Sequence, residues 1–198
     1  TLADAYAEIQ KSLNFTRGKF GLGPVSYRLV KRKVGRGDKI FVETFFPKTN
    51  VEKALRIYRS HHKISLTKHT KLLPFARLVL SRLRSRKKIL AIASNRPLLY
   101  TRIILKKLDI ARYFDTVVCG DGIRNMKPDP AILYSILKKY KVEKKDEVFI
   151  GDMDVDMETA RRAGIDAVFV KGGSSSVREV RKYKNKKVVN TLREILLK

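Results

Sequence analysis

From Lys88 to Val170 the chain alternates short apolar runs with stretches of helical period across tight loops, and that rhythm leaves few folds open to it. Lys88 to Ser94, Phe114 to Cys119, Glu147 to Ile150 and Ala167 to Val170 each read as strands. After the first of these, Asn95-Arg96-Pro97 opens a helix in which Tyr100, Ile103, Ile104 and Leu108 recur at helical spacing. Asp129-Pro130 offers an N-cap and a first-turn proline to a helix burying Ile132, Leu133, Ile136, Leu137 and Tyr140. A further helix runs from behind Gly151-Asp152 through Ala160 to about Ala163. Strands joined through helices by short loops make a parallel sheet, so the expected class is α/β, a Rossmann-like parallel sheet flanked by helices.

Residues 15 to 72 break the rhythm. Gly18, Gly21, Gly23 and Pro24 punctuate the start of this stretch, and Gly35 and Gly37 divide it. Thr49-Asn50-Val51-Glu52 reads as a capping box for a helix carrying Val51, Ala54, Leu55 and Tyr58. Lys39 to Phe46 fits a strand or a helix, because so short an apolar run does not fix its period. Leu72 to Leu83 is an amphipathic helix that returns the chain to the alternating part, and the tail from Thr191 reads as helical. The expected division is a core of residues 1–14 and 73–198 with a small, mostly helical insertion at 15–72.

Composition narrows the setting. Lys and Arg number 45 against 19 Asp and Glu, a formal charge of +26, while 43% apolar content supplies enough core to fold. A chain this basic attracts phosphate groups, whether on nucleic acid, lipid or small metabolites. The basic residues are dispersed, from Arg28-Lys31-Arg32-Lys33 through Arg82-Arg84-Arg86-Lys87-Lys88 to Lys182-Lys184-Lys186-Lys187, so they also read as solvated helix faces. Cys119 is the single cysteine and cannot form an internal disulfide. Thr1-Leu2-Ala3-Asp4 lacks the order of a secretion signal, and apolar runs such as Ile89 to Ala93 are far shorter than a membrane span. A reducing cytoplasm is the expected location, with no membrane partner. His61, His62 and His69 lack the cysteine or acidic partners of a zinc site.

Three segments fall at the carboxyl ends of successive strands, where open parallel sheets bind ligands. Ser94-Asn95-Arg96-Pro97 places a hydroxyl and an amide beside free N–H groups of a helix start, an arrangement suited either to an anion or to simple capping. Lys127 precedes the proline-stiffened entry Pro128-Asp129-Pro130, where a cation could neutralise a phosphoryl group or only meet solvent. Asp152, Asp154 and Asp156 crowd into five positions of an acid-poor chain. Such carboxylates need a hard cation or a lysine between them, and Mg²⁺ is the usual partner beside phosphate, although Asp154 also suits helix capping.

Taken in this order, the segments resemble the motifs of the haloacid dehalogenase-like (HAD) superfamily, in its phosphoglycolate phosphatase and phosphoglucomutase-like branch. Ile89-Leu90-Ala91-Ile92-Ala93-Ser94 is similar to the second motif, Lys127-Pro128-Asp129-Pro130 to the third, and Gly151, Asp152 and Asp156 to the Gly-Asp-x-x-x-Asp of the fourth. Ala160 to Gly164 resembles the family's stretch just downstream of that motif. The likeness is close over Leu72 to Val170 and looser elsewhere. It implies a HAD-like core with a small helical cap at residues 15–72, hydrolysing a small phosphorylated metabolite through an aspartyl-phosphate with Mg²⁺. By the same resemblance Ser94 donates to the phosphate and Lys127 stabilises its oxygens as catalytic groups, Asn95 and Arg96 bind substrate, and Asp152 and Asp156 serve the metal, Asp156 either in its shell or by holding Lys127.

The family's first motif reads Asp-x-Asp-Gly-Thr-Leu, and Thr1-Leu2-Ala3-Asp4 opens as though partway through it. The expectation is that the nucleophilic Asp lies upstream of residue 1, on a central strand whose absence would leave a gap in the sheet. Asp4 is expected in the next helix rather than as a substitute. Two alternatives stand beside the hydrolase: a mutase passing the phosphoryl group to a second substrate, and a non-catalytic HAD scaffold that binds nucleic acid through its basic surface.

Overall fold

The computed structural model describes residues 1–184 and 186–197. It opens with β1 (Ala3–Asp4), α1 (Tyr6–Gly18), α2 (Tyr27–Lys33), α3 (Asp38–Glu43) and α4 (Val51–His69), and β2 (Lys71–Leu72) comes back to pair antiparallel with β1. The alternating part continues as α5 (Ala76–Ser85), β3 (Ala91–Ser94), α6 (Leu98–Lys107), β4 (Thr116–Cys119), α7 (Ala131–Tyr140), β5 (Val148–Gly151), α8 (Asp154–Ala163), β6 (Asp166–Val170), α9 (Val177–Val180) and β7 (Lys186–Val189). The class is α/β, with parallel strands flanked by helices, as the alternation requires.

The strands form two parallel sets. β3 lies beside β4 with Ala91 opposite Thr116 and Ser94 opposite Cys119. β5, β6 and β7 form the second set, with Gly151 opposite Phe169 and Val170 opposite Val189. Among the described residues β3 pairs only with β4 and β5 only with β6, and both line one cavity of about 1170 Å³. Strands inside a helix-covered parallel sheet are normally buried on both faces. Here Ile92, Phe149 and Ile150 are only half-buried, and Val148 is 54% exposed.

Helices close the outer faces by apolar burial. α7 sets Ile132, Leu133 and Leu137 with Ala163 and Ile165 against Ala93, Val118 and Phe149. α5 places Ala76 and Val79 on Val170, Val189 and Leu192, while α8 packs Met157 and Ala160 on Ala167 and Phe169. Each large side chain so buried is worth roughly 1.5–3 kcal/mol. The first four helices hold a core of their own, in which Ile9 and Leu13 of α1 meet Val30, Phe41, Val42, Phe46, Ala54, Leu55 and Tyr58. Residue 15, where the insertion is expected to begin, falls inside α1.

Several local expectations need correction. Thr49-Asn50 forms no capping box: a 3-10 turn over Lys48–Asn50 leads straight into α4, and the Val51 N–H bonds to the Lys48 carbonyl. Asp4 lies in β1 rather than in the helix, and its carboxylate accepts the Tyr6 N–H at 3.1 Å. The helix expected from Leu72 starts at Ala76, because Leu72 pairs with Ala3. The ambiguous Lys39–Phe46 run resolves as α3 to Glu43, which puts Phe41 and Val42 on the buried side. The tail forms a 3-10 helix over Leu192–Leu196, with the Glu194 carboxylate accepting the N–H groups of Asn190 and Thr191. No helix among the described residues is long and apolar enough to cross a membrane.

Candidate functional site

The tips of β3 and β5, the loop before α7 and the start of α8 meet at the cavity, and Ser94, Asn95, Arg96, Lys127, Asp152 and Asp156 all line it. At the tip of β3 the Ser94 hydroxyl accepts the Arg96 N–H at 3.1 Å. Neither Ser94 nor Asn95 caps α6. That task falls to Asp121 from the loop after β4, whose carboxylate oxygens accept the Leu98 N–H at 3.0 and 3.1 Å. The Asn95 amide is engaged within the chain: it accepts the Lys127 N–H at 2.8 Å, donates to the Lys127 carbonyl at 2.8 Å, and donates to the Gly35 carbonyl at 2.9 Å. One side chain thus ties the β3 tip to the backbone that carries Lys127 and to the loop between α2 and α3.

Lys127 is buried and fixed. Its ammonium lies 2.7 Å from Asp156 Oδ1, donates to the Ala93 carbonyl at 3.0 Å and sits 5.3 Å from the centre of the Phe149 ring. Asp156 Oδ2 accepts the N–H groups of Asp152 at 3.2 Å and Met153 at 3.1 Å, so this carboxylate closes the start of α8 while its other oxygen holds the lysine. Asp156 turns back over Gly151, where a Cβ would lie 2.3 Å from the Asp156 Cβ. Only glycine leaves that room.

Asp152 stands at the end of β5. Its Oδ1 lies 2.9 Å from the Thr1 nitrogen and accepts the Thr1 hydroxyl at 2.5 Å. Burial opposes the charged form of this carboxyl, while the Thr1 hydroxyl and the Lys127 charge favour it. Gly173, which sequence reasoning did not single out, is packed so closely that a Cβ there would lie 2.2 Å from the Asp152 carbonyl oxygen. The paired Gly172-Gly173 after β6 was the available signal.

The first four helices supply more of the lining, with Tyr6, Tyr58 and His62 among the residues that sequence reasoning did not place at the site. Tyr58 and His62 are one helical turn apart on α4 and their rings stack at 5.0 Å, an i, i+4 spacing that the sequence displays. The Lys31 ammonium donates to the Gly172 carbonyl at 2.9 Å, so the first helices meet the core loops there as well as through the Gly35 carbonyl that accepts from Asn95.

Among the described residues no three His, Cys, Asp or Glu side chains converge as a metal cage. Asp156 spends its oxygens on Lys127 and the first N–H groups of α8, while Asp152, which accepts from the Thr1 and Tyr6 hydroxyls, presents a hard oxygen donor at the strand end. Mg²⁺ characteristically takes one or two carboxylates and completes its shell with phosphate oxygens and water, so the donor chemistry of Asp152 suits it.

The profile of the "Haloacid dehalogenase-like hydrolase" family matches residues 1–170. Curated phosphoglycolate phosphatases are related to the chain: that of Agrobacterium fabrum is 26% identical over 89% of this chain and 79% of its own length, and that of Aquifex aeolicus is 29% identical over 83% and 77%. In fold, a haloacid dehalogenase-like family hydrolase from Streptococcus pneumoniae superposes with a TM-score of 0.89 at 21% identity, over 100% of this chain and 92% of the other. CbbY from Rhodobacter sphaeroides, solved in complex with phosphate, gives 0.84 at 17% identity over 98% and 92%. On the match over residues 1–170, the chain belongs to the haloacid dehalogenase-like hydrolase family.

Proposed function

We propose that the protein is a phosphatase that hydrolyses a small phosphorylated metabolite in the cytoplasm, and that phosphoglycolate, the substrate named for its relatives, is the first to try. The observation that carries this reading is the Lys127–Asp156 ion pair at 2.7 Å on the rim of a cavity that Ser94 and Asp152 also line. Lys127 meets the phosphoryl oxygens with a cation already in place, so no reorganisation is needed as charge develops. Ser94 donates its hydroxyl to the same group. Asp156 is a positioning residue that keeps Lys127 oriented. Asp152 holds Mg²⁺, which supplies charge neutralisation to the phosphate when bound.

The nucleophile in this reading is an Asp preceding Thr1, on a strand filling the space between β3 and β5; the half-buried Ile92, Phe149 and Ile150 support it. Attack on phosphorus forms an aspartyl-phosphate as the ester P–O bond breaks and the substrate alcohol leaves with a proton, and water then cleaves the aspartyl-phosphate to inorganic phosphate and the free carboxylate. The helices of residues 15–72, with the part of α1 that packs on them, act as a cap that restricts entry to the cavity. The test is phosphate release from p-nitrophenyl phosphate and phosphoglycolate by the protein expressed from its natural start codon. Release that depends on Mg²⁺ and falls on the order of 10²–10³-fold in Asp152→Asn is expected. No release across phosphate esters with Mg²⁺ present would overturn the reading, and salt-sensitive RNA binding in its place would favour the nucleic-acid alternative.

A further inference from the structure

Next to Ser94 the cavity wall carries a cation that nothing in the phosphoryl site uses. Arg96 lines the cavity, and its guanidinium makes no ion pair and no hydrogen bond among the described residues. Five N–H donors without protein acceptors are costly to keep in a partly buried position unless something else accepts from them. Its electrostatic neighbours are Tyr58, Tyr6, Cys119 and one carboxylate, Asp152, whose oxygens already accept from Thr1 and Tyr6. Tyr58 lines the same space, and its hydroxyl too makes no hydrogen bond among the described residues. Tyr6 and His62 also lie within electrostatic range. His62 stays neutral, because burial first and Arg96 second hold its imidazole down at about 3. Asp38, the other carboxylate on this wall, is already paired with Arg59 at 2.7 Å.

We propose that Arg96 and the Tyr58 hydroxyl form an anion subsite that reads a carboxylate on the substrate, separate from the phosphoryl site at Lys127 and Ser94. This rests on the phosphatase reading and deepens it by naming the residues that choose the substrate. The guanidinium fork matches a planar carboxylate through two parallel hydrogen bonds, and a tyrosine hydroxyl supplies a third donor. Ser94 and Arg96 are two residues apart on one loop, so their Cα atoms lie within about 7 Å. The subsite shares a loop with Ser94, which suits a substrate whose two anionic groups are close, as in the phosphate ester of a short hydroxy acid. Because Arg96 belongs to the core and Tyr58 to α4, an occupant is gripped by both parts of the molecule.

The experiment compares phosphoglycolate with ethyl phosphate, which lacks the carboxylate, in wild type, Arg96→Met, Arg96→Lys and Tyr58→Phe. Arg96→Met is expected to lower the ratio of kcat/KM for phosphoglycolate over ethyl phosphate by on the order of 10²-fold, mainly through KM. Arg96→Lys keeps the charge without the fork and should fall between. Tyr58→Phe should lower the ratio several-fold. A ratio unmoved by Arg96→Met, or a wild type that does not prefer the carboxylate, overturns the proposal. Calorimetric binding of phosphonoacetate against ethylphosphonate repeats the comparison without turnover: a wild-type preference for phosphonoacetate that Arg96→Met abolishes supports the subsite, and equal binding overturns it. Failure to hydrolyse any ester sinks the phosphatase reading separately.

Discussion

Lys127 and Arg96 are both cations on one cavity, and the protein treats them differently. Lys127 has a carboxylate at 2.7 Å, a carbonyl at 3.0 Å and an aromatic face beneath it. Arg96 has no ion pair among the described residues. A cation held by three fixed partners is oriented before the ligand arrives, which suits it to stabilising charge that develops in a reaction. A cation left without partners gains its hydrogen bonds from the ligand, which suits it to recognition. The first should control rate and stability, and the second should control choice of substrate.

Removing the fixed cation is the harshest way to test that contrast. Lys127→Met should depress turnover on the order of 10²–10³-fold or more, and it leaves Asp156 charged and buried without its partner. Stranding one half of a buried pair costs roughly 3–5 kcal/mol, so the urea midpoint should drop sharply. Lys127→Met combined with Asp156→Leu should recover much of the stability and none of the activity. A single variant as stable as wild type would show that the pair does not anchor this corner.

A gentler perturbation reaches Lys127 through its support. Gly151→Ala sets a methyl 2.3 Å from the Asp156 Cβ, so the carboxylate must swing away from the N–H groups of Asp152 and Met153. The expected loss is about 1–3 kcal/mol in stability and about tenfold in kcat, with KM less affected. Gly122→Ala, where a Cβ meets nothing within 4 Å, is the control and should melt with wild type. Coincident melting curves for the two variants would remove the argument for Asp156 as the positioning group.

Legibility in the sequence divides along the same line. The fixed corner was legible because Ser94 and the Gly151 to Asp156 run sit at the ends of readable apolar strands and Lys127 stands beside a proline-marked helix start. Its internal wiring was not. The Asn95 amide reads as a substrate ligand until its three hydrogen bonds to Lys127 and Gly35 are seen, because the residues it joins are 32 and 60 positions away. The Thr49 capping box failed for a local reason: Pro47 begins a 3-10 turn that already satisfies the Asn50 and Val51 N–H groups. β7 was missed because Lys186-Lys187 precedes only two valines, too short a run to carry a period. The Arg96 side of the cavity depends on α1 and α4 folding over the β3 tip, and no pattern in residues 6–69 states which face turns inward.

The smallest expected effect probes the unpaired corner through pH. His62 titrates at about 3 in the folded protein, where burial and then the Arg96 charge oppose its protonation, against about 6.5 in an unfolded chain. Between those values the unfolded state binds the extra proton, so this group's contribution to unfolding free energy is whole above pH 6.5 and is lost as the solution is acidified toward pH 3. One proton gives a slope of at most about 1.4 kcal/mol per pH unit. His62→Asn keeps a polar partner for the Ser12 hydroxyl, 3.1 Å from Nδ1 in the wild type, and should flatten that part of a urea-midpoint curve followed from neutral pH down past about pH 3. Arg96→Met should leave the slope in place and shorten it at its acid end, since His62 then loses one of the two influences that hold it down. A curve for Arg96→Met that matches wild type would mean the guanidinium does not act on His62, and the corner would lose the cation that distinguishes it from the one built around Lys127.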